Sequence, residues 1–180
     1  MADLTFDQMD NLSFPRHGVL AFVEAYEARP SLGADVPYRR LDLQTFVAAT
    51  WRRHTLLGFA RGTSALGTTL PPGQEARLGG LFNLSGLPAG ELTGSYGGIA
   101  GLIYLYRFGS LPTFGEGMYA GLSLEAGNLW NGSRDVTTSD LRYSYSLAVG
   151  LDTALGPVYF AHGVTSGGKD SFYLLVGRTF

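Results

Sequence analysis

The residues able to do chemistry are few and scattered. His17, His54 and His162 stand far apart, two of them in the turn-like stretches "FPRHG" and "RRH". A Ser–His hydrolase needs an imidazole beside a nucleophilic hydroxyl, with a third group orienting it. No spacing here enforces that. The nucleophile elbow G-x-S-x-G is missing, since "GTSAL" around Ser64 and "GLSLE" around Ser123 each lack the closing glycine. Cysteine is absent, which excludes thiol catalysis, Cys-type zinc sites and disulfides. The Gly-rich "GGLFNLSG" lacks the Lys and helix that complete a phosphate loop. We therefore expect no catalytic residue, no metal and no cofactor. The remaining polar chemistry is carboxylate chemistry, from Asp42, Glu125 and Asp152, each on the small or polar side of an alternating run.

The elements that position these groups are strands. In 141–153, "LRYSYSLAVGLDT", Leu141, Tyr143, Tyr145, Leu147, Val149 and Leu151 alternate with Arg142, Ser144, Ser146, Ala148, Gly150 and Asp152. Period two with one apolar face and one small or polar face is a strand pattern. Eight long runs read this way, near 18–29, 38–52, 54–66, 95–108, 117–130, 140–153, 156–165 and 171–180. A shorter run at 4–10 is a candidate ninth. These lengths match the roughly 9–11 residues with which a tilted strand crosses a bilayer. Short turns alternate with longer connections, as in an outer-membrane barrel. A soluble sandwich or lipocalin-like barrel would alternate too. Against it, the non-apolar face is Gly, Ser, Ala and Thr rather than charged, and Trp51, Trp130 and many Tyr fall near strand ends.

The expected architecture is an all-β, transmembrane antiparallel β-barrel unit of about eight strands, forming one domain over 1–180. The net charge of −2 gives no reason to expect a nucleic-acid partner. No run of about 18 apolar residues encodes a transmembrane helix, and the first ten residues carry acids with no apolar signal core. One stretch stands apart: 79–94, "GGLFNLSGLPAGELTG", is Gly-rich yet carries Leu81, Phe82, Leu84 and Leu87. These residues need cover. The expectation is a long loop, 68–94, folded toward the lumen.

Four stretches in order carry a family resemblance: "DQMDNLSFPRHG" (7–18), the 79–94 loop, "LEAGNLW" (124–130), and "TALGPVYFAHG" with the terminal "GRTF". Together they resemble the C-terminal half of the barrel in the BamA/TamA superfamily, the bacterial surface antigen family. The barrels that follow a patatin-like phospholipase domain look closest. The resemblance implies a loop-tip motif at Leu84, Ser85, Gly86 and Leu87, with Ser85 where the family has Arg. It implies Glu125 as the tip's lumen partner, beside Gly127, with Arg77 as a rival partner for Glu125. It also implies a C-terminal insertion signal at Phe172, Leu174, Val176 and Phe180, with Arg178 departing from the pattern.

The implied role is non-enzymatic: moving or inserting polypeptide at the Gram-negative outer membrane. The implied partners are the lipid bilayer, the barrel-assembly machinery, a polypeptide substrate and a second copy of the chain. The alternative role is a membrane anchor or passive pore for a secreted passenger, built from self-associating eight-strand units. The expected seam strands are about 19–28 and 172–180.

Overall fold

The computed structural model describes residues 1–11, 14–111, 115–153 and 156–177. Within them the regular structure is strand, apart from two single 3-10 turns at Pro30–Leu32 and Thr138–Asp140. The main sheet is antiparallel and nine-stranded. In chain order its members are β1 (Ala2–Asp7), β2 (Gly18–Ala28), β3 (Tyr38–Trp51), β4 (His54–Ser64), β7 (Tyr96–Leu111), β8 (Gly115–Trp130), β9 (Arg142–Thr153), β10 (Gly156–Thr165) and β11 (Lys169–Val176). A separate small hairpin, β5 (Ala76–Leu78) with β6 (Leu92–Gly94), lies inside the long connection between β4 and β7.

The alternation produces a sheet that is inverted relative to a water-soluble one. In β9, Ser144, Ser146, Ala148 and Gly150 are buried, whereas Tyr143, Tyr145 and Leu147 are exposed, Leu147 at 62%. Phe160 and Leu174 are exposed at 61% and 73%. Large apolar side chains on the open face of a sheet suit hydrocarbon, not water. Near one strand end, Trp51 lies 6.1 Å from the His54 ring, and His54 Nδ1 lies 2.6 Å from Tyr104 Oη. Arg52 sits over Trp51. An aromatic and cationic cluster at this height matches an interfacial girdle.

Connections sort by end. The two-residue turn 52–53 and the β7–β8 and β9–β10 joints share one end with the 8–17 connection. The 29–37, 65–95 and 131–141 connections gather at the other, with the tight 166–168 turn. The 65–95 connection turns inward. Leu78, Leu81, Phe82, Leu84 and Leu87 join one buried cluster with Phe59, Ile99 and Ile103 from the sheet. From the opposite end, Phe14 enters the same cluster, stacked on Tyr119 at 4.3 Å.

One expectation is sharpened here and one corrected. The candidate ninth run at 4–10 is a strand, β1 at Ala2–Asp7, paired with β2 from Ala2↔Ala25 to Asp7↔Leu20, so the expected unit of about eight strands holds nine. Leu4 and Phe6 alternate with Asp3, Thr5 and Asp7, which is enough for a six-residue strand. The first seam strand is consequently not 19–28, since β2 is flanked by β1 and β3. The outermost strands are β1 and β11, and among the described residues each pairs only with its chain neighbour.

Candidate functional site

The 79–91 stretch folds as a compact turn system before it meets the sheet. Gly79 N–H donates to Asn83 O at 2.7 Å and Gly80 N–H to Leu87 O at 2.9 Å. Phe82 and Leu84 sit at φ 59° and 69°. Left-handed conformations at bulky residues cost about 1–3 kcal/mol each and persist only where surroundings over-determine them. The surroundings here are the covered faces of β8, β10 and β11.

Glu125 on β8 is the centre of that support. Its Oε2 accepts from Leu84 N–H at 2.7 Å and Ser85 N–H at 2.8 Å. Its Oε1 accepts from Ser85 Oγ–H and Ser123 Oγ–H, both at 2.5 Å. All four partners are donors, the set that suits a carboxylate anion. Hydroxyl bookkeeping then fixes directions beyond it. Ser123 uses its one O–H on Glu125, so Ser146 Oγ–H must donate across the 2.7 Å Ser123–Ser146 contact. Ser85 Oγ also accepts from Phe82 N–H at 2.9 Å, so one small side chain braces the strained turn and binds the wall. Ser85 is 0% and Glu125 3% exposed.

The last two strands grip the other side of the tip. Gly86 N–H donates to Thr165 Oγ1 at 2.9 Å, and Thr165 meets Ser144 through a hydroxyl pair. Tyr173 Oη lies 2.7 Å from Ser85 O and 2.9 Å from Leu87 O, and Ser171 Oγ–H donates to Gly86 O at 3.2 Å. At the mouth, Lys169 Nζ pairs with Glu91. Backbone meets backbone closely enough to require glycine twice. A Cβ on Gly86 would lie 2.1 Å from Thr165 N, and one on Gly163 would lie 2.1 Å from Ser85 O. Leu84 and Leu87 are both fully buried.

The expected site residues divide as follows. Leu84, Ser85, Gly86, Leu87 and Glu125 are brought together. Gly127 is buried further along β8, where an added Cβ would meet Gly98 O at 2.5 Å; it gives close approach between β7 and β8 rather than a contact to the tip. Arg77 does not pair with Glu125. It lies on β5 with its side chain running along Gly90, because the turn at 79–80 separates β5 from the tip. The cation in electrostatic reach of Glu125 is Arg61 on β4, whose Nη2 donates to Phe82 O and Asn83 Oδ1, both at 3.2 Å. Phe172, Leu174 and Val176 lie on the exposed face of β11, and Phe180 and Arg178 fall outside the described residues. Among the described residues no group of three His, Asp or Glu side chains is placed to hold a metal.

Sequence reasoning missed Arg61, Ser123, Thr165 and Tyr173. Ser123 had a usable signal, since it is two residues before Glu125 and shares its face. Tyr173 alternates with the exposed Phe172 and Leu174, and so had to point inward. Arg61 and Thr165 had no local signal, because their partners are distant in the chain.

No curated protein matches the sequence. Among solved structures the chain is similar to that of BamA from Haemophilus ducreyi lacking POTRA domains 1–3, with a TM-score of 0.76 and 14% identity. The match covers 96% of this chain and 40% of that one, so the chain spans about two fifths of the solved protein's length. The Omp85 superfamily domain matches residues 2–180, and the chain therefore belongs to the Omp85 superfamily, as an integral β-barrel domain of the Gram-negative outer membrane.

Proposed function

We propose that this domain is a non-enzymatic barrel wall that inserts or moves polypeptide at the outer membrane, with the 68–94 loop as a plug on its lumenal face. The observation that carries the reading is the seating of the loop tip: Leu84 and Ser85 backbone N–H groups and the Ser85 hydroxyl all converge on Glu125. A loop fixed this way keeps the sheet curved around a filled interior while the sheet edges stay free to pair. Membership of the superfamily supports a polypeptide-handling role over a metabolic one. The implied partners are the bilayer, the barrel-assembly machinery that would read Phe172, Leu174, Val176 and Phe180, and an unfolded polypeptide. To test it, vesicles carrying the protein are offered an unfolded outer-membrane substrate. Accelerated insertion is expected, whereas a rate equal to that of empty vesicles would remove the assembly role.

A second reading is a membrane anchor or passive pore for a secreted passenger, with a patatin-like phospholipase domain as the passenger the sequence resemblance suggests. The outer sides of β1 and β11, unpaired among the described residues, favour it. Unpaired N–H and C=O groups do not persist in hydrocarbon, so a second copy of the chain or further strands must cover them. Cysteines introduced as Phe6→Cys and Leu174→Cys discriminate, because the chain has no native cysteine. Crosslinks between chains support a self-associated ring, and crosslinks only within one chain exclude it.

A further inference from the structure

Between the covered faces of β3, β4 and β7 and the β5–β6 hairpin lies a cavity of about 240 Å³. One water needs only roughly 10–15 Å³ on the same measure. The wall is lined by the half-buried Arg61 of β4 and the exposed Arg77 of β5, together with Thr63 and Gln44. Arg61 Nε and Thr63 Oγ1 are buried and have no hydrogen-bond partner among the described residues. Buried donors are rarely left unmet, and two in one cavity wall call for an acceptor.

Two carboxylates near Arg61 are already engaged. Asp42, also in the wall, lies 2.6 Å from Arg40 Nε, and Arg40 Nη1 donates to Gln74 as well. Glu125, within electrostatic reach of Arg61, is taken by its four donors at the loop tip.

We propose that this cavity is an oxyanion site, with Arg61 and Arg77 as its cations and the Thr63 hydroxyl as a neutral donor. Guanidinium forks match carboxylate and phosphate oxygens alike. The anion has two sources: a free phosphate-type ion in the lumen, or a carboxylate carried by a polypeptide. The site goes beyond the polypeptide-handling role and stands whether or not the vesicle assay succeeds.

Phosphorus NMR of the folded protein in detergent micelles, titrated with inorganic phosphate, tests it. Saturable line broadening is expected. Arg77→Gln should weaken it about tenfold, equivalent to about 1.4 kcal/mol. Thr63→Val should weaken it less, and Arg53→Gln, in the 52–53 turn at the opposite end of the sheet, should leave it unchanged. Arg77 carries the decisive variant because Arg61 also holds the Phe82–Asn83 turn. Displacement of phosphate by acetate assigns the site to carboxylates as well, and no displacement assigns it to phosphate. Absence of saturable broadening in the natural protein, or equal broadening in Arg77→Gln, would overturn the proposal.

Discussion

Two segments enter the covered face of this sheet from opposite ends, and they are held by different physics. The 65–95 loop arrives with a polar tip wired to Glu125, Thr165 and Tyr173. The 8–17 connection arrives with one aromatic ring: Phe14 stacks on Tyr119 and lies 5.3 Å from Tyr159. The two meet at Tyr159, which Phe82 approaches edge-on at 6.1 Å. Hydrogen bonds fix direction and distance within tenths of an ångström, while a stacked ring tolerates sliding. The loop tip is therefore the more sharply positioned of the two, and the 8–17 connection acts as a looser stopper.

Backbone substitution should separate the two most sharply. Gly86→Ala forces a Cβ against the Thr165 backbone, so unseating of the tip and loss of more than about 4 kcal/mol are expected. Urea unfolding in detergent measures it, and a cost below about 1 kcal/mol would show that the tip is loosely seated. Glu125→Ala strands the Leu84 and Ser85 N–H groups and two hydroxyls. About 4 kcal/mol is expected from the same titration, at roughly 1–3 kcal/mol for each buried group left unpaired.

Phe14→Ala should cost about 3 kcal/mol, in the range for a buried ring, and should leave the loop protected from proteolysis. Proteolytic opening of the loop in this variant would mean that the two segments act as one unit. Tyr173→Phe removes one hydroxyl proton that two carbonyls share, for about 1 kcal/mol. It tests whether β11 is tied to the tip.

The smallest effect belongs to the stopper's outer turn and is pH-dependent. Burial works against the Asp10 charge, but N–H groups of His17, Arg16 and Asn11 outweigh it and hold the carboxyl below its ordinary value of 3.8. A depressed value stabilises the fold fully above that ordinary value, and the contribution is lost as pH falls through the lower, folded one. Asp10→Asn should flatten the acid arm of the stability curve below about pH 3.8 and change little at neutral pH. An unchanged acid arm would contradict the sign.

The strand pattern was legible because lipid and interior sort side chains at period two, and β9 shows this along its whole length. The loop tip was partly legible. Four large apolar residues among glycines demanded cover, and the resemblance pointed from Ser85 to Glu125. What stayed hidden depends on long-range geometry. Closeness in sequence makes Arg77 a rival partner for Glu125 and gives no hint of Arg61, yet the turn at 79–80 carries Arg77 away while the sheet brings Arg61 in. The outer edge was misplaced at β2 because β1 is short and carries two aspartates, and only pairing with Leu20–Ala25 makes it a strand.

The central claim, that the loop tip is seated inside against Glu125, is tested most directly by thiol accessibility. The chain has no cysteine, so Leu87→Cys and Leu66→Cys each give a single label site, one fully buried at the tip and one 49% exposed on the same loop. In the folded protein a bulky maleimide should modify the site at 66 readily and the site at 87 only after Glu125→Ala is added or the protein is unfolded. Equal labelling of both sites in the folded protein with Glu125 intact would contradict the account.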